Sequence, residues 1–338
     1  MFHYVQHDVL QPYPHYYFGE NMKIIYAGTP EFAVEPLKKI LQMHNIQVVG
    51  VVTQEDKPQG RKGILTPPPV KVEAEKYNIP VLQYPKIKER VADLRALGAD
   101  MMVTCAYGQI LTQEVLDCFP KGVYNIHAGL LPKYRGASPI QSCILAGETQ
   151  TGVCIIKTER GLDTGDILRM QTLDILQSET YGQLSERLSL LGAELIVTAI
   201  EEVRNGTATL TPQGEENVNV VRKITKEQAQ IDFSKSAKEI VNLVRAMNPA
   251  PVAFTALENN KINVWEAEKA VLTDEENAYM QTAKIGEILS DKAKRGLLVK
   301  CGDGAVKLVK VQPSGGKIMN GGDLINGRKA QKGQVFSC

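Results

Sequence analysis

The stretch KIIYAGTPEFAVEPLKKILQMHNIQVVGVVT, residues 23–53, decides the fold. It contains a short apolar strand at 23–27, a segment of helical periodicity at 31–41 and a Val-rich strand at 47–53. A strand–helix–strand unit of this kind predicts two parallel strands joined by a crossover helix. The turn after the first strand is not G-x-G-x-x-G, because Pro30 takes the place of the second glycine. We therefore expect a mostly parallel α/β sheet that does not bind a dinucleotide.

The same alternation continues to about residue 205. We expect further strands at 81–82, 101–105, 123–127 and 153–157, and helices at 70–77, 87–97, 114–118, 140–146 and 180–204. A shift to Gly, Thr, Pro, Gln and Asn at 206–226 predicts a linker. A helix at 237–247 then precedes short segments at 253–257, 261–267, 286–289, 297–301 and 305–311, the spacing of a small antiparallel barrel. The predicted divisions are an N-terminal extension at 1–21, a first domain at 22–205, the linker, and a second domain at 227–338.

Composition excludes several classes of protein. The chain has 338 residues, is 43% hydrophobic and carries a formal net charge of +1. From residue 225 onward, 17 Lys and Arg stand against 13 Asp and Glu, a net +4 that weakly favours a polyanionic partner. No apolar run approaches the ~20 residues of a membrane helix, residues 1–21 lack the pattern of a signal peptide, and the six cysteines form no C-x-x-C pair. We expect a cytoplasmic protein without a disulfide framework or a zinc site.

Two polar residues lie on the strand predicted at 123–127. Asn125 and His127 are two positions apart, so their side chains leave the same face. After the strand ends, Ser138 as N-cap and Pro139 as first residue predict the start of a helix. Open parallel sheets bind ligands at the carboxyl ends of their strands, which is where this polar pair lies. An amide donor beside an imidazole suits acyl transfer, since one holds an oxyanion while the other moves a proton. The alternative is that both side chains only cap a turn.

A glycine-rich segment at 159–168 carries two further acids, Asp163 and Asp166. Asp beside Gly most commonly forms a turn. Alternatively, one of the two approaches His127 and sets its tautomer or charge, as triad-like sites require. Spacing in the sequence leaves both interpretations open.

The connection at 54–69 is 16 residues long, and loops of that length tend to be functional or disordered. Arg61 and Lys62 stand between Gly60 and Gly63, which would present two cations on a flexible tip. A solvated turn is the alternative.

Assembled in this order, the segments resemble the methionyl-tRNA formyltransferases, within the larger group of 10-formyltetrahydrofolate-dependent formyltransferases. The resemblance runs from about residue 22 to near the end of the chain. Asn125-Ile126-His127 matches the family's Asn-x-His element, YRGASPI at 134–140 its Arg-Gly-Ala-x-Pro-Ile run, and GLDTGD at 161–166 the segment with its catalytic aspartate. The resemblance implies a Rossmann-like, doubly wound, mostly parallel N-terminal sheet and a small OB-like C-terminal β-barrel.

The reaction implied by this resemblance is transfer of the formyl group of 10-formyltetrahydrofolate to the α-amino group of methionyl initiator tRNA, by a monomer and without a metal. Asn125 would donate to the oxyanion, and His127 would relay protons. Asp163 would favour the protonated imidazole or orient it electrostatically, and would help hold a water. The residues implied to bind folate are Gly129, Leu130, Leu131 and Pro132, together with Gln109, Ile110 and Leu111. The residues implied to bind tRNA are Arg61 and Lys62 of the loop and Arg222, Lys223 and Lys226 beside the barrel.

Departures from the family pattern fall in both binding regions. Gly129 stands where the family usually has serine, which removes a hydroxyl that could contact folate. Gly63 and Ile64 occupy positions of the tRNA loop that are typically basic, so more of its contribution would come from Arg61 and Lys62.

Other functions account for fewer of these features. A formyltransferase for glycinamide ribonucleotide would leave the basic barrel unexplained, and one for amino sugar nucleotides usually carries a further nucleotide-binding domain. A formyltetrahydrofolate hydrolase would be expected to carry a regulatory domain before the catalytic one. A non-enzymatic RNA-binding protein would have no use for Asn125, His127 and Asp163 together.

Overall fold

The N-terminal part of the chain alternates strands and helices, as the sequence predicts. The structure is a computed structural model that describes residues 21–60 and 62–337. The strands of this part are β1 (Met22–Gly28), β2 (Ile46–Thr53), β3 (Lys57–Gln59), β4 (Ile64–Thr66), β5 (Val81–Gln83), β6 (Met101–Cys105), β7 (Val123–His127), β8 (Arg135–Gly136), β9 (Gln150–Lys157), β10 (Ile167–Asp174) and β11 (Val220–Val221). The helices are α1 (Val34–Leu41), α2 (Pro69–Lys76), α3 (Val91–Ala96), α4 (Gln113–Leu116), α5 (Pro139–Leu145) and α6 (Tyr181–Asn205).

Seven of the described strands form one sheet, in the order β10-β9-β7-β6-β1-β2-β5. The five adjacent strands β7, β6, β1, β2 and β5 are parallel to one another. At one edge of the sheet, β9 is antiparallel to β7, and β10 is antiparallel to β9. The predicted mostly parallel sheet is confirmed. The sequence does not predict β10, because most of its side chains are exposed. In addition, its apolar and polar residues do not alternate regularly.

Helices cover both faces of this sheet. On one face, Ile24, Tyr26 and Met101 pack in a core with α1, α5 and α6. On the other face, Ile25 and Met102 pack with α3 and α4. Strands that are buried on both faces require a continuous apolar run, and all five residues of β6 are buried. The sheet is therefore doubly wound and Rossmann-like, as expected.

The connection at 54–69, predicted as a polar loop, contains a short antiparallel hairpin of β3 and β4. Its turn uses the positive φ angles of Gly60 (69°) and Gly63 (60°). An ion pair of 3.0 Å between Lys71 Nζ and Asp56 Oδ2 fixes its base. Arg61, predicted at its tip, lies outside the described residues.

The C-terminal part is a curled antiparallel sheet that forms a half-barrel, which confirms the predicted small barrel. Its elements are α7 (Ala237–Ala246), β12 (Ala253–Leu257), β13 (Asn260–Lys269), α8 (Asp274–Thr282), β14 (Leu297–Cys301), β15 (Gly304–Pro313), β16 (Met319–Asn320), α9 (Gly321–Asn326) and β17 (Phe336–Ser337). The strand order is β14-β15-β13-β12-β17, with β16 beside β15. Phe233, Val264 and Phe336 lie in its own apolar core, together with residues of α7. The prediction of a strand at 286–289 is wrong, because Glu287 and Ile288 form only isolated β-bridges.

The segment predicted as a linker, 206–226, packs back onto the N-terminal sheet. Thr211 and Ile167 exchange backbone hydrogen bonds of 2.8 and 2.9 Å, and β11 pairs in parallel with β8. Ser138 is the N-cap residue of α5, as predicted, but its hydroxyl accepts from the Ile224 amide (3.3 Å) rather than from the helix. The domain boundaries themselves stay a prediction.

Side chains also connect the two domains directly. Gln141 Nε2 on α5 donates to the carbonyl oxygens of Ala246 and Ala250, each at 3.2 Å. Arg245 on α7 donates to the carbonyl oxygens of Leu176 and Glu179, again at 3.2 Å. In residues 21–60 and 62–337, no helix combines the length and apolar character that crossing a bilayer requires.

Candidate active site

Asn125 and His127 lie at the carboxyl end of β7, where the sequence predicts them. Val123, on the same face of this strand, packs in the core formed with α3 and α4. Tyr124 and Ile126 point to the opposite core. Asn125 is half-buried, and the side chain of His127 is only 4% exposed. Asn125 and His127 thus belong to the carboxyl end of a strand inside the sheet and not to a free turn.

Thr104 orients the amide of Asn125. Thr104 lies opposite Asn125 in the parallel pair of β6 and β7, and its hydroxyl donates to Asn125 Oδ1 at 2.9 Å. Because the oxygen of the amide is engaged, its NH2 group is directed away from Thr104. In the part of the chain that the structure describes, this NH2 group makes no hydrogen bond, so it can donate to a bound substrate. Thr104 could not be predicted as a site residue from the sequence, because it stands inside an apolar strand.

The tautomer of His127 follows from one contact. His127 Nε2 lies 3.1 Å from the backbone carbonyl oxygen of Tyr134. A carbonyl only accepts hydrogen bonds, and this contact is shorter than the 3.5 Å between Nδ1 and the Asp163 carboxylate, so we assign the proton of the neutral ring to Nε2. Nδ1 of the neutral ring is therefore free to act as a base, and it faces Asp163 Oδ2 at 3.5 Å.

Burial and charge act on His127 in opposite directions. Burial lowers its pKa below the ordinary value, because a buried imidazolium loses its hydration. The carboxylate of Asp163 and then the carbonyl of Tyr134 oppose this effect, and the net direction is a lowered pKa. The ring is therefore neutral near pH 7, and a proton that reaches Nδ1 is stabilised by Asp163.

Of the two acids in the glycine-rich segment, Asp163 approaches His127. Its Oδ2 accepts from the Gly136 amide at 2.7 Å, in addition to facing the imidazole. Asp163 has a φ of 51° and Tyr134 a φ of 58°, a conformation that is costly for residues with a side chain. The two residues that flank the imidazole are thus both held in strained backbone conformations. Asp166 instead accepts through its backbone carbonyl from Lys157, in the turn before β10.

The loop predicted to bind folate passes close to the imidazole. A Cβ atom added to Gly129 would lie 3.2 Å from both His127 Nε2 and Pro139 Cβ. The missing side chain at Gly129 therefore makes room for the ring. Leu131 is buried with Cys154, whereas Leu130 and Pro132 are half-buried.

The three residues predicted after β6 differ in their contacts. Gln109 accepts from the Ile87 amide and donates to the Tyr84 carbonyl, both at 2.8 Å, so its amide is engaged within the protein. Ile110 is 86% exposed, and Leu111 is half-buried. Of the three, Ile110 offers the largest apolar surface to a ligand.

The predicted tRNA-binding cations lie on the surface. The exposed members are Lys62, Arg222, Lys223 and Lys226. Within the described residues, none of these four forms an ion pair, so their charges are available to a polyanion. Arg61 lies outside the described residues.

Comparison with known proteins identifies both parts of the chain. The family model described as formyl transferase matches residues 21–200, and the one described as formyl transferase, C-terminal domain, matches residues 223–329. A methionyl-tRNA formyltransferase of Ruminiclostridium cellulolyticum is 42% identical over 315 residues, which cover 93% of this chain and 99% of that protein. The methionyl-tRNA formyltransferase of Bacillus subtilis is 38% identical over 317 residues, 93% and 97% of the two chains.

Two solved structures share the fold. An N-formyltransferase from Helicobacter canadensis, in complex with folinic acid and dTDP-3-aminofucose, matches with a TM-score of 0.62 and 20% identity over 84% of this chain and 98% of that one. HypX from Aquifex aeolicus matches with a TM-score of 0.61 and 15% identity, over 93% of this chain but 49% of the HypX chain. At such identities the likeness concerns the fold alone. The sequence relatives and the family models show that the chain belongs to the methionyl-tRNA formyltransferase family.

Proposed function

We propose that this chain transfers the formyl group of 10-formyltetrahydrofolate to the α-amino group of methionyl initiator tRNA. The observation that carries the proposal is the arrangement of Asn125, His127 and Asp163 at one sheet edge, in a chain of this family. It combines a free amide donor, a neutral base and a carboxylate beside that base, as acyl transfer to an amine requires.

His127 serves as the base through Nδ1. The attacking amine must lose a proton, and Nδ1 is the ring nitrogen that lacks one. Asp163 Oδ2 lies 3.5 Å from Nδ1, close enough to stabilise the resulting imidazolium directly. The same ring can then return the proton to the leaving nitrogen.

Asn125 serves as the donor to the formyl oxygen. Negative charge develops on this oxygen as the amine attacks, and a prepositioned amide donor stabilises that charge by about 3–4 kcal/mol in comparable sites. The hydrogen bond from Thr104 keeps the NH2 group of Asn125 aimed away from Thr104. Less reorganisation is then needed at the moment of attack.

The site has features that fit a folate. Bound 10-formyltetrahydrofolate supplies the formyl group, and the faces of its pterin ring can pack against apolar side chains. Ile110 presents an exposed apolar side chain after β6, and the buried Gly129 lets the backbone of its loop pass close to His127. We expect these two residues, with Leu130, to line the folate site.

The acceptor would be bound by surface cations at two places. Lys62 lies on the hairpin and Arg222, Lys223 and Lys226 lie where the linker meets the half-barrel. Phosphate contacts from such cations supply most of the affinity for nucleic acid. The cytoplasmic location and the monomeric state stay predictions.

Acceptor identity is tested by single-turnover transfer from labelled 10-formyltetrahydrofolate. Charged methionyl initiator tRNA, methionyl elongator tRNA and an amino sugar nucleotide are compared at equal concentration. The proposal predicts rapid formylation of the initiator tRNA and slow or no transfer to the other two. Transfer to the amino sugar nucleotide alone would assign the chain to a small acceptor instead.

A further inference from the structure

Gln213, in the segment between the two domains, hydrogen-bonds to two segments of the catalytic site. Its Nε2 donates to the carbonyl oxygens of Asp163 (2.8 Å) and Gly165 (2.7 Å). Its Oε1 accepts from Nε (3.1 Å) and a terminal nitrogen (2.7 Å) of Arg135. Both N–H groups and both lone pairs of this amide are therefore engaged. Among the described residues, neither Gln213 nor Arg135 forms a hydrogen bond with His127, so we expect any effect on the imidazole to pass through Asp163 or through the backbone.

The rest of this segment contacts the same two loops. Thr211 pairs with Ile167, just after the Asp163 loop. The Val221 carbonyl accepts from the Ala137 amide at 2.9 Å, and Asn219 Oδ1 accepts from the Tyr134 amide. The segment from Thr211 to Val221 thus hydrogen-bonds to both strained residues that flank His127, Tyr134 and Asp163.

Asp163 needs support from outside its own loop. Its φ of 51° is unfavourable, and strained conformations persist only where surrounding contacts fix them. The neighbouring residues Glu159, Arg160 and Gly161 are exposed and bury little surface. The two hydrogen bonds from Gln213 hold the backbone of the loop on both sides of Thr164.

On the basis of the function proposed above, we infer that Gln213 is a positioning residue for catalysis. By donating to the Asp163 and Gly165 carbonyls, it holds the Asp163 carboxylate beside Nδ1 of His127. Among the described residues, Asp163 provides the one carboxylate within 4.0 Å of that ring.

Two variants separate the parts of this role. Gln213→Glu keeps the size of the side chain and its acceptor toward Arg135, but removes both donated hydrogen bonds. Gln213→Leu removes all four. We expect both to lower kcat by about 10- to 100-fold, the cost of misplacing a catalytic group by roughly 1 Å, with the folate KM changed less than about two-fold. Glu216→Gln is the matched control, because Glu216 lies in the same segment, is exposed and makes no side-chain hydrogen bond among the described residues.

A double-mutant cycle with Asp163→Asn distinguishes positioning from a structural role. Asp163→Asn retains the backbone carbonyl that Gln213 binds, so a purely structural loss would be the same in both backgrounds. If Gln213 acts through the Asp163 carboxylate, adding Gln213→Leu to Asp163→Asn should cost less than about two-fold further. An equal further loss, or wild-type kcat in Gln213→Leu, would overturn the inference.

An NMR titration of His127 gives a readout that needs no substrate. Gln213→Leu should lower the His127 pKa in the direction of Asp163→Asn, because the Asp163 carboxylate no longer opposes burial. An unchanged titration in a folded variant, shown by a wild-type affinity for folate, would also overturn the inference. Failure of the wild-type protein to formylate tRNA would instead count against the proposed function.

Discussion

The Nε2 atom of His127 lies 3.1 Å from the carbonyl oxygen of Tyr134, and this contact decides which nitrogen of the ring can act as a base. With Nε2 protonated, Nδ1 is left to accept the proton of the attacking amine and faces Asp163 at 3.5 Å. Tyr134 and Asp163 both hold positive φ angles. Two residues with strained backbone conformations thus contact opposite nitrogens of one imidazole and orient it.

The pH dependence should report Asp163 through His127. The Asp163 carboxylate raises the pKa of His127 against the stronger lowering by burial, so Asp163→Asn should lower this pKa further. Since only the neutral ring accepts a proton, activity is lost as pH falls through this pKa. The acid limb of kcat should therefore move to lower pH in Asp163→Asn, while kcat itself falls. A limb that stays in place would belong to the substrate amine.

Loss of the oxyanion donor should affect turnover and leave binding intact. Asn125→Ala should lower kcat by about 10²- to 10³-fold, because the amide acts on charge that develops only during attack. Rapid-quench kinetics measure this step, and equilibrium titration measures folate affinity, which we expect to change little. A variant with weakened folate affinity and normal kcat would make Asn125 a binding residue.

The parallel pairing of β8 and β11 should depend on Gly136. This residue has a φ of 113°, and an added Cβ atom would overlap the carbonyl oxygen of Val221. Gly136→Ala should destabilise the fold by about 1–3 kcal/mol from backbone strain alone, and it should disturb the amide that binds Asp163. Denaturant unfolding and kcat check both effects. Gly214→Ala is the control, because a Cβ there meets open space, and equal stability of the two variants would contradict the geometry.

The hairpin should contribute to tRNA affinity and not to chemistry. Combined Arg61→Ala and Lys62→Ala should raise the tRNA KM and flatten its dependence on salt, because fewer counterions are released on binding. The control is Lys121→Ala, a change of an exposed lysine that follows α4. If the tRNA KM and its salt slope match those of the control, the hairpin tip is a solvated turn.

The sequence predicts the sheet and the polar pair on β7 because both follow from periodicity within short segments. The choice between Asp163 and Asp166 could not be made in this way, since it depends on where a loop meets a strand 36 residues earlier in the chain. Thr104 belongs to the apolar strand MMVTC and has the pattern of a core residue. Gln213 stands in a segment whose composition indicates only a linker, and its role depends on a fold-back that no local pattern encodes.

The most direct test of the central claim is single-turnover formylation of methionyl initiator tRNA by the wild-type protein and by His127→Ala. The account predicts transfer to the initiator tRNA by the wild-type protein. In His127→Ala it predicts a loss of about 10²- to 10⁴-fold in rate, the usual contribution of a general base, with folate affinity retained. Wild-type rates in His127→Ala would contradict the assignment of the base, and no transfer to tRNA by the wild-type protein would contradict the proposed function.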